Sequence, residues 1–190
     1  TGGGTDFLLS IGDCPVDNWR TSGSDALPEC SKLNSGNMDV YKLRPYGCST
    51  CPIRCGALIK IPDGPFASQD ELHRPEYETI AALGPLCRND NPEAVIRANE
   101  ICNRTGLDTM GVGNSVAFAM ECWEQGLIGP EDTGGLELKW GDPNAIVALV
   151  QQMADREGLG ALLADGSKAA AEKIGRGADN HIVLEQISVS

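Results

Sequence analysis

Three cysteines, Cys48, Cys51 and Cys55, fall within eight residues at C-x2-C-x3-C spacing, ahead of a long helical region. Thiolates on so short a loop can converge on one small object, a zinc ion or an iron–sulfur cluster. Such a site needs four ligands, and this run supplies three. Zinc sites favour paired C-x2-C motifs, and no second pair exists; His73 and His181 are single and far apart in sequence. The spacing therefore favours an iron–sulfur cluster over zinc. Cys14, Cys30, Cys87, Cys102 and Cys122 are the remaining candidates for a fourth ligand. Of these, Cys102 and Cys122 fall on the apolar faces of expected helices, where small buried cysteines belong to the core.

Two further stretches carry polar groups at helix boundaries. In Arg74-Pro75-Glu76-Tyr77-Glu78-Thr79 the carboxylates are two residues apart. That spacing puts them about 200° apart around a helix, so they do not form a close pair. Taken alone they compensate the helix dipole. In Asn103-Arg104-Thr105-Gly106-Leu107-Asp108-Thr109 one helix stops at Gly106 and another starts at Asp108. Taken alone this is a glycine stop followed by an N-cap.

The elements that must position these groups are mostly helical. Asp6–Ile11 reads as a short helix stopped by Gly12, and 14–24 as an irregular loop with Trp19 as a packing anchor. Asp25–Leu33 reads as one short helix, 34–37 as a turn, and Met38–Leu43 as a second short helix leading to the cysteine loop. Gly56–Pro62 is the best strand, with a partner just before Pro75. A helix with Pro75 in its first position runs to Leu83. Asn91-Pro92 opens the next, ended by Gly106, and Asp108 caps a third, ended by Gly126. A loop covers 129–141. Asp142-Pro143 opens a fourth helix closed by Gly158, a fifth spans about 159–174, and 179–190 is mildly β-prone. The expected fold is mostly α: a multi-helical domain with a cysteine loop and a small β contribution, occupying 1–190 as a single domain.

Composition narrows the function classes. The 190 residues are 41% apolar and only 5% aromatic, so Ala, Leu, Ile and Val must fill the core. The net charge of −12 repels phosphate backbones and anionic lipid, which argues against nucleic-acid and membrane partners. No apolar run is long enough to span a bilayer. Eight cysteines are many for a cytosolic protein and too few for a disulfide scaffold. The chain opens on Thr1-Gly2-Gly3-Gly4 with no signal-like segment, and reads as part of a longer, cytoplasmic product.

Taken together, the ordered motifs resemble the tungsten-containing aldehyde:ferredoxin oxidoreductase family. The resemblance starts at Thr1-Gly2-Gly3 and at Gly12-Asp13-Cys14-Pro15-Val16-Asp17-Asn18-Trp19. It continues through Cys48-x2-Cys51-Pro52-Ile53-x-Cys55-Gly56, Pro75-Glu76-Tyr77-Glu78-Thr79 and Leu83-Gly84-Pro85. It extends over Asn103-x-x-Gly106-Leu107-Asp108-Thr109, Ala117–Glu121, Arg156–Gly160 and Ala170–Gly175. The resemblance implies oxidation of aldehydes to carboxylic acids at a tungsten (or molybdenum) bis-pterin. A 4Fe–4S cluster would pass the electrons to ferredoxin. It implies Cys48, Cys51 and Cys55 as cluster ligands, Glu78 as the catalytic carboxylate, and Asn103 and Asp108 as pterin contacts. Asn103 stands where the family motif has Asp; it keeps a carbonyl acceptor and brings no charge. Some relatives instead reduce aromatic acyl-CoA rings. The resemblance places this chain as the middle domain of the enzyme, with the fourth cluster ligand and much of the cofactor cradle on flanking domains. In isolation it would then be inactive, with both cofactors absent or incomplete. A stand-alone helical module with zinc at the cysteine loop is the alternative.

Overall fold

The computed structural model describes residues 4–182. A short α1 (Thr5–Ser10) leads into a two-residue hairpin, β1 (Pro15–Val16) against β2 (Thr21–Ser22), where the sequence suggested an irregular loop. Asp25–Leu33 is not a helix; only Cys30–Leu33 forms a 3-10 turn. Leu27 precedes Pro28, and a residue before proline is driven out of the helical region. The expected turn at 34–37 is instead α2 (Ser35–Met38), because the Asn34 side chain accepts from the Asn37 N–H and caps it.

The stretch before the cysteines departs furthest from expectation. Asp39–Tyr41 makes one 3-10 turn, and Lys42–Tyr46 is a strand, β3. It pairs antiparallel with β4 (Gly56–Ile59), which pairs with β5 (Leu72–His73) just ahead of Pro75. The sheet order β3-β4-β5 makes β3 an edge, which is where Pro45 can sit without costing a ladder hydrogen bond. The cysteine loop is therefore the tip of a hairpin.

After the sheet the chain is helical. The next helix, α3 (Tyr77–Leu83), begins two residues later than Pro75 suggested, with Glu76 as N-cap. The Arg74 N–H still bonds the Ala57 carbonyl, so the chain remains extended up to Pro75. Caps then fix the boundaries of α4 (Pro92–Thr105) and α5 (Thr109–Glu124). Asn91 and Asp108 accept from backbone N–H groups three residues on, and Gly106 ends α4 in the left-handed conformation. Within the expected loop 129–141 lies a single turn, α6 (Pro130–Thr133). Asp142 caps α7 (Pro143–Asp155), whose end is set by left-handed Arg156; Gly158 opens α8 (Gly158–Leu163) rather than closing α7. The expected fifth helix is split into α8 and α9 (Ser167–Ile174) at Gly166, with φ +92°. Ala178–His181 forms a 3-10 turn, and the rest of the β-prone reading, 183–190, lies outside the described residues.

The main core joins the inner faces of α3, α4, α5, α7 and α8 to Ala57, Ile59 and Ile61 of the sheet side. Val95, Ile101, Val116, Met120, Ile146 and Leu149 are buried in it, as helical spacing predicted. The crossing of α3 and α5 is close: a Cβ on Gly113 would sit 2.6 Å from Ala82 Cβ and 2.7 Å from its backbone. A second, smaller cluster of Leu9, Cys14, Val16, Leu27 and Cys30 ties the N-terminal part together. Among the described residues no helix is long and apolar enough to cross a membrane.

Candidate functional site

The hairpin tip is pinched at its neck by two glycines. Gly56 lies under the Tyr46 ring, where a Cβ would meet ring carbons at 2.6 Å, and a Cβ on Gly47 would meet the Arg54 Cα at 2.8 Å. Above this neck Cys48 and Cys55 are exposed and Cys51 half-buried. The Cys51 N–H bonds the Cys48 carbonyl, and Thr50 and Arg54 adopt left-handed backbone. Arg74, itself well buried, clamps the far end: its guanidinium donates to the Cys55 carbonyl at 2.6 Å and to Asp39 at 2.7 Å. Soft thiols on one accessible tip suit a zinc ion or an iron–sulfur cluster in kind. Among the described residues no three His, Cys, Asp or Glu side chains are gathered as a metal cage.

None of the other cysteines is well suited to be the fourth ligand. Cys14, Cys30, Cys87, Cys102 and Cys122 are all buried. Burial pushes the Cys14 thiol up to about 11 and those of Cys102 and Cys122 up to about 12, and raises Cys87 further still. A thiol held protonated by its surroundings is a poor metal ligand. The reading of Cys102 and Cys122 as core holds.

Beside the tip stand residues that the sequence did not single out. The Tyr46 hydroxyl and His73 Nδ1 are hydrogen-bonded at 2.8 Å, with their rings edge to face at 5.2 Å. The Tyr46 phenol is pushed up by burial, then by Glu76 and the Cys48 and Cys55 thiols. The pairing of His73 with Tyr46 depends on strand register, which no local pattern in the sequence announces.

The start of α3 separates two clefts. On one side a cleft of about 350 Å3 is lined by Tyr46, His73, Arg74, Glu76, Asn103 and Thr109, among others. Asn103 thus faces the same space as the residues beside the cysteine tip. Asp108 is exposed and is spent on its cap, accepting from the Gly111 N–H at 2.6 Å. On the other side a cleft of about 260 Å3 contains Glu78 with Trp19, Tyr77, Met110 and Asn114. The Thr79 and Thr109 hydroxyls, 2.8 Å apart, fasten the first turns of α3 and α5 together in the wall of the larger cleft. Glu78 and Asn103 therefore belong to neighbouring clefts rather than to one.

Trp19 is not the packing anchor that its sequence context suggested. It is 51% exposed, its indole N–H donates to Asn114 Oδ1 at 3.1 Å, and its ring borders the Glu78 cleft. Asp17, Asn18 and Trp19 are left-handed in succession, with φ of 54°, 50° and 68°. Side chains with a Cβ rarely adopt this conformation. A buried polar network holds the turn in place. Asn18 Nδ2 donates to Glu121 at 2.6 Å and to the His181 carbonyl, and Arg88 pairs with Asp17 at 3.0 Å. His181 Nδ1 and Arg20 also approach Glu121.

Known proteins share this chain's sequence and fold. The family model described as "Aldehyde ferredoxin oxidoreductase, domains 2 & 3" matches residues 1–189. The tungsten-containing aldehyde ferredoxin oxidoreductase of Pyrococcus furiosus is 34% identical over 178 residues, covering 90% of this chain and 28% of that protein. That of Pyrococcus horikoshii is 36% identical over 136 residues, covering 70% of this chain and 22% of that protein. The aliphatic sulfonate oxidoreductase, WOR-like subunit, of Pyrococcus furiosus is 32% identical over 162 residues, covering 84% and 25%. Among solved structures, the active site complex BamBC of benzoyl coenzyme A reductase, in complex with 1,5-dienoyl-CoA, superposes with a TM-score of 0.75. It is 25% identical and covers 93% of this chain and 25% of that one. This chain thus spans about a quarter of the length of the curated relatives it matches. The match along nearly its whole length shows that the chain belongs to the aldehyde ferredoxin oxidoreductase family, a family of oxidoreductases.

Proposed function

We propose that this chain is the middle, helical domain of an enzyme that oxidises aldehydes to carboxylic acids and passes the electrons to ferredoxin. The observation that carries the reading is the cysteine hairpin, whose accessible thiols stand beside the cleft bordered by Asn103 and Thr109. Cys48, Cys51 and Cys55 would supply three ligands to a 4Fe–4S cluster, and a residue of a flanking domain the fourth. When bound, a tungsten (or molybdenum) bis-pterin supplies the two-electron oxidation, and the cluster the one-electron relay. The Arg74 guanidinium holds the end of the thiol loop through the Cys55 carbonyl. Asn103 offers its amide to a pterin in the larger cleft. Asp108 acts there by fixing the start of α5. Glu78, exposed in the second cleft, holds or moves the proton that aldehyde hydration and oxidation release.

Metal analysis and a visible spectrum of the full-length protein, made anaerobically, test the reading. The expected result is iron and acid-labile sulfide at about four each per chain, from one cubane cluster, together with tungsten or molybdenum. Zinc alone, with no brown chromophore, would replace the oxidoreductase reading of the loop by a zinc-binding module.

A further inference from the structure

We propose that the cleft between Trp19 and Glu78 receives the ring of a small aromatic aldehyde, with the face of the Trp19 indole as its platform. The proposal rests on the aldehyde-oxidising reading and adds a substrate class and a specificity-determining residue to it. The apolar wall of the cleft is made by Pro15, Trp19, Ala81, Leu86 and Met110, and Glu78 supplies a carboxylate to the same space. At about 260 Å3 the cleft is smaller than the roughly 300–1,000 Å3 pockets of drug-sized ligands. It suits a single ring with a short reactive group, and not a nucleotide-bearing thioester.

The placement of Trp19 points to use rather than to packing. A tryptophan needed for the core would be inside, as Phe118 is at 1% exposure, whereas the Trp19 indole is 51% exposed. Its polar edge is already satisfied by Asn114, whose own amide donates to the Met110 carbonyl one turn back. About half of the side chain stays accessible and lines the cleft, and an indole favours offset or edge-on contact with another aromatic ring. Three successive left-handed residues and the buried Asn18–Glu121 bond hold it there. The ring of the substrate would lie on the indole, and its carbonyl end would lie toward Glu78.

The test uses the metal-loaded full-length protein and its Trp19→Ala and Trp19→Phe variants, with benzaldehyde and acetaldehyde as substrates. Trp19→Ala is expected to raise the KM for benzaldehyde by about fivefold to tenfold, the scale of one aromatic contact. Trp19→Phe should restore most of that loss, and acetaldehyde should change by no more than about twofold in either variant, since it has no ring to stack. An equal loss on both aldehydes, or on neither, overturns the proposal. A lowered melting temperature with an unchanged benzaldehyde-to-acetaldehyde ratio also overturns it, and assigns the cleft to a covering segment of the protein. If the loaded wild-type protein oxidises no aldehyde, the reaction reading fails instead. The platform is then judged by benzoate titration followed by tryptophan fluorescence. Saturable quenching in wild type that is absent in Trp19→Phe supports it, and no saturable quenching overturns it.

Discussion

Glu78 and the three tip cysteines are separable at the residue scale, because they stand on different elements, α3 and the β3–β4 hairpin tip. Glu78→Gln keeps the shape of the side chain and removes its base. In the full-length protein it should leave iron and tungsten content unchanged and lower kcat by about 10²-fold or more, the usual worth of a positioned acid–base group. Unchanged turnover would reduce Glu78 to a helix-start acid. That the three cysteines share one loop was legible in the sequence, because their spacing is a local pattern. Trp19 was not, since its exposure depends on a left-handed turn fastened by Glu121 and His181, about a hundred residues and more further on. That turn departs from the backbone preference of three consecutive residues, at an order of 1–3 kcal/mol each, and the buried network must offset this. Tyr46 and His73 stayed hidden for the same reason: they meet across a register between strands.

At the scale of elements, the site depends on how closely α3 and α5 cross. Gly113→Ala would force a methyl group against Ala82 and should destabilise the protein by about 1–3 kcal/mol, as overpacking does. Urea unfolding measures this. Since the Thr79–Thr109 contact rides on the same crossing, both clefts should widen together, and substrate affinity should fall with stability. Most long helices were legible because their ends are written locally: Asn91 and Pro92, Gly106, Asp108, then Asp142 and Pro143. The elements misread were those decided by partners. Lys42–Tyr46 became a strand because β4 lay beside it, and Gly166 broke what periodicity alone would have continued.

For the whole molecule, the buried thiols make stability depend on alkaline pH. The ordinary cysteine value is 9.0, and folding moves Cys14 to about 11 and Cys102 and Cys122 to about 12. Above pH 9 the unfolded chain gives up thiol protons that the folded chain keeps, so stability must fall as pH rises toward those values. Below about pH 8 these groups contribute almost no slope. Urea midpoints at pH 7, 8 and 10 should be nearly level and then decline, with a shallower decline in Cys102→Ala compared with its own pH 7 value. The hairpin has a consequence of another kind. Its neck closes on the directly paired Tyr46 and Gly56, and no thiol of the tip is part of the core. If the tip holds the proposed cluster, that cluster is a detachable cassette on a scaffold whose core does not include it. Replacing 47–55 by Asn-Gly, a two-residue turn suited to joining paired strands, should give a folded protein with unchanged helical circular dichroism and no bound iron. On that reading a lineage could shed or regain the proposed cluster at this one tip while inheriting the helical body intact.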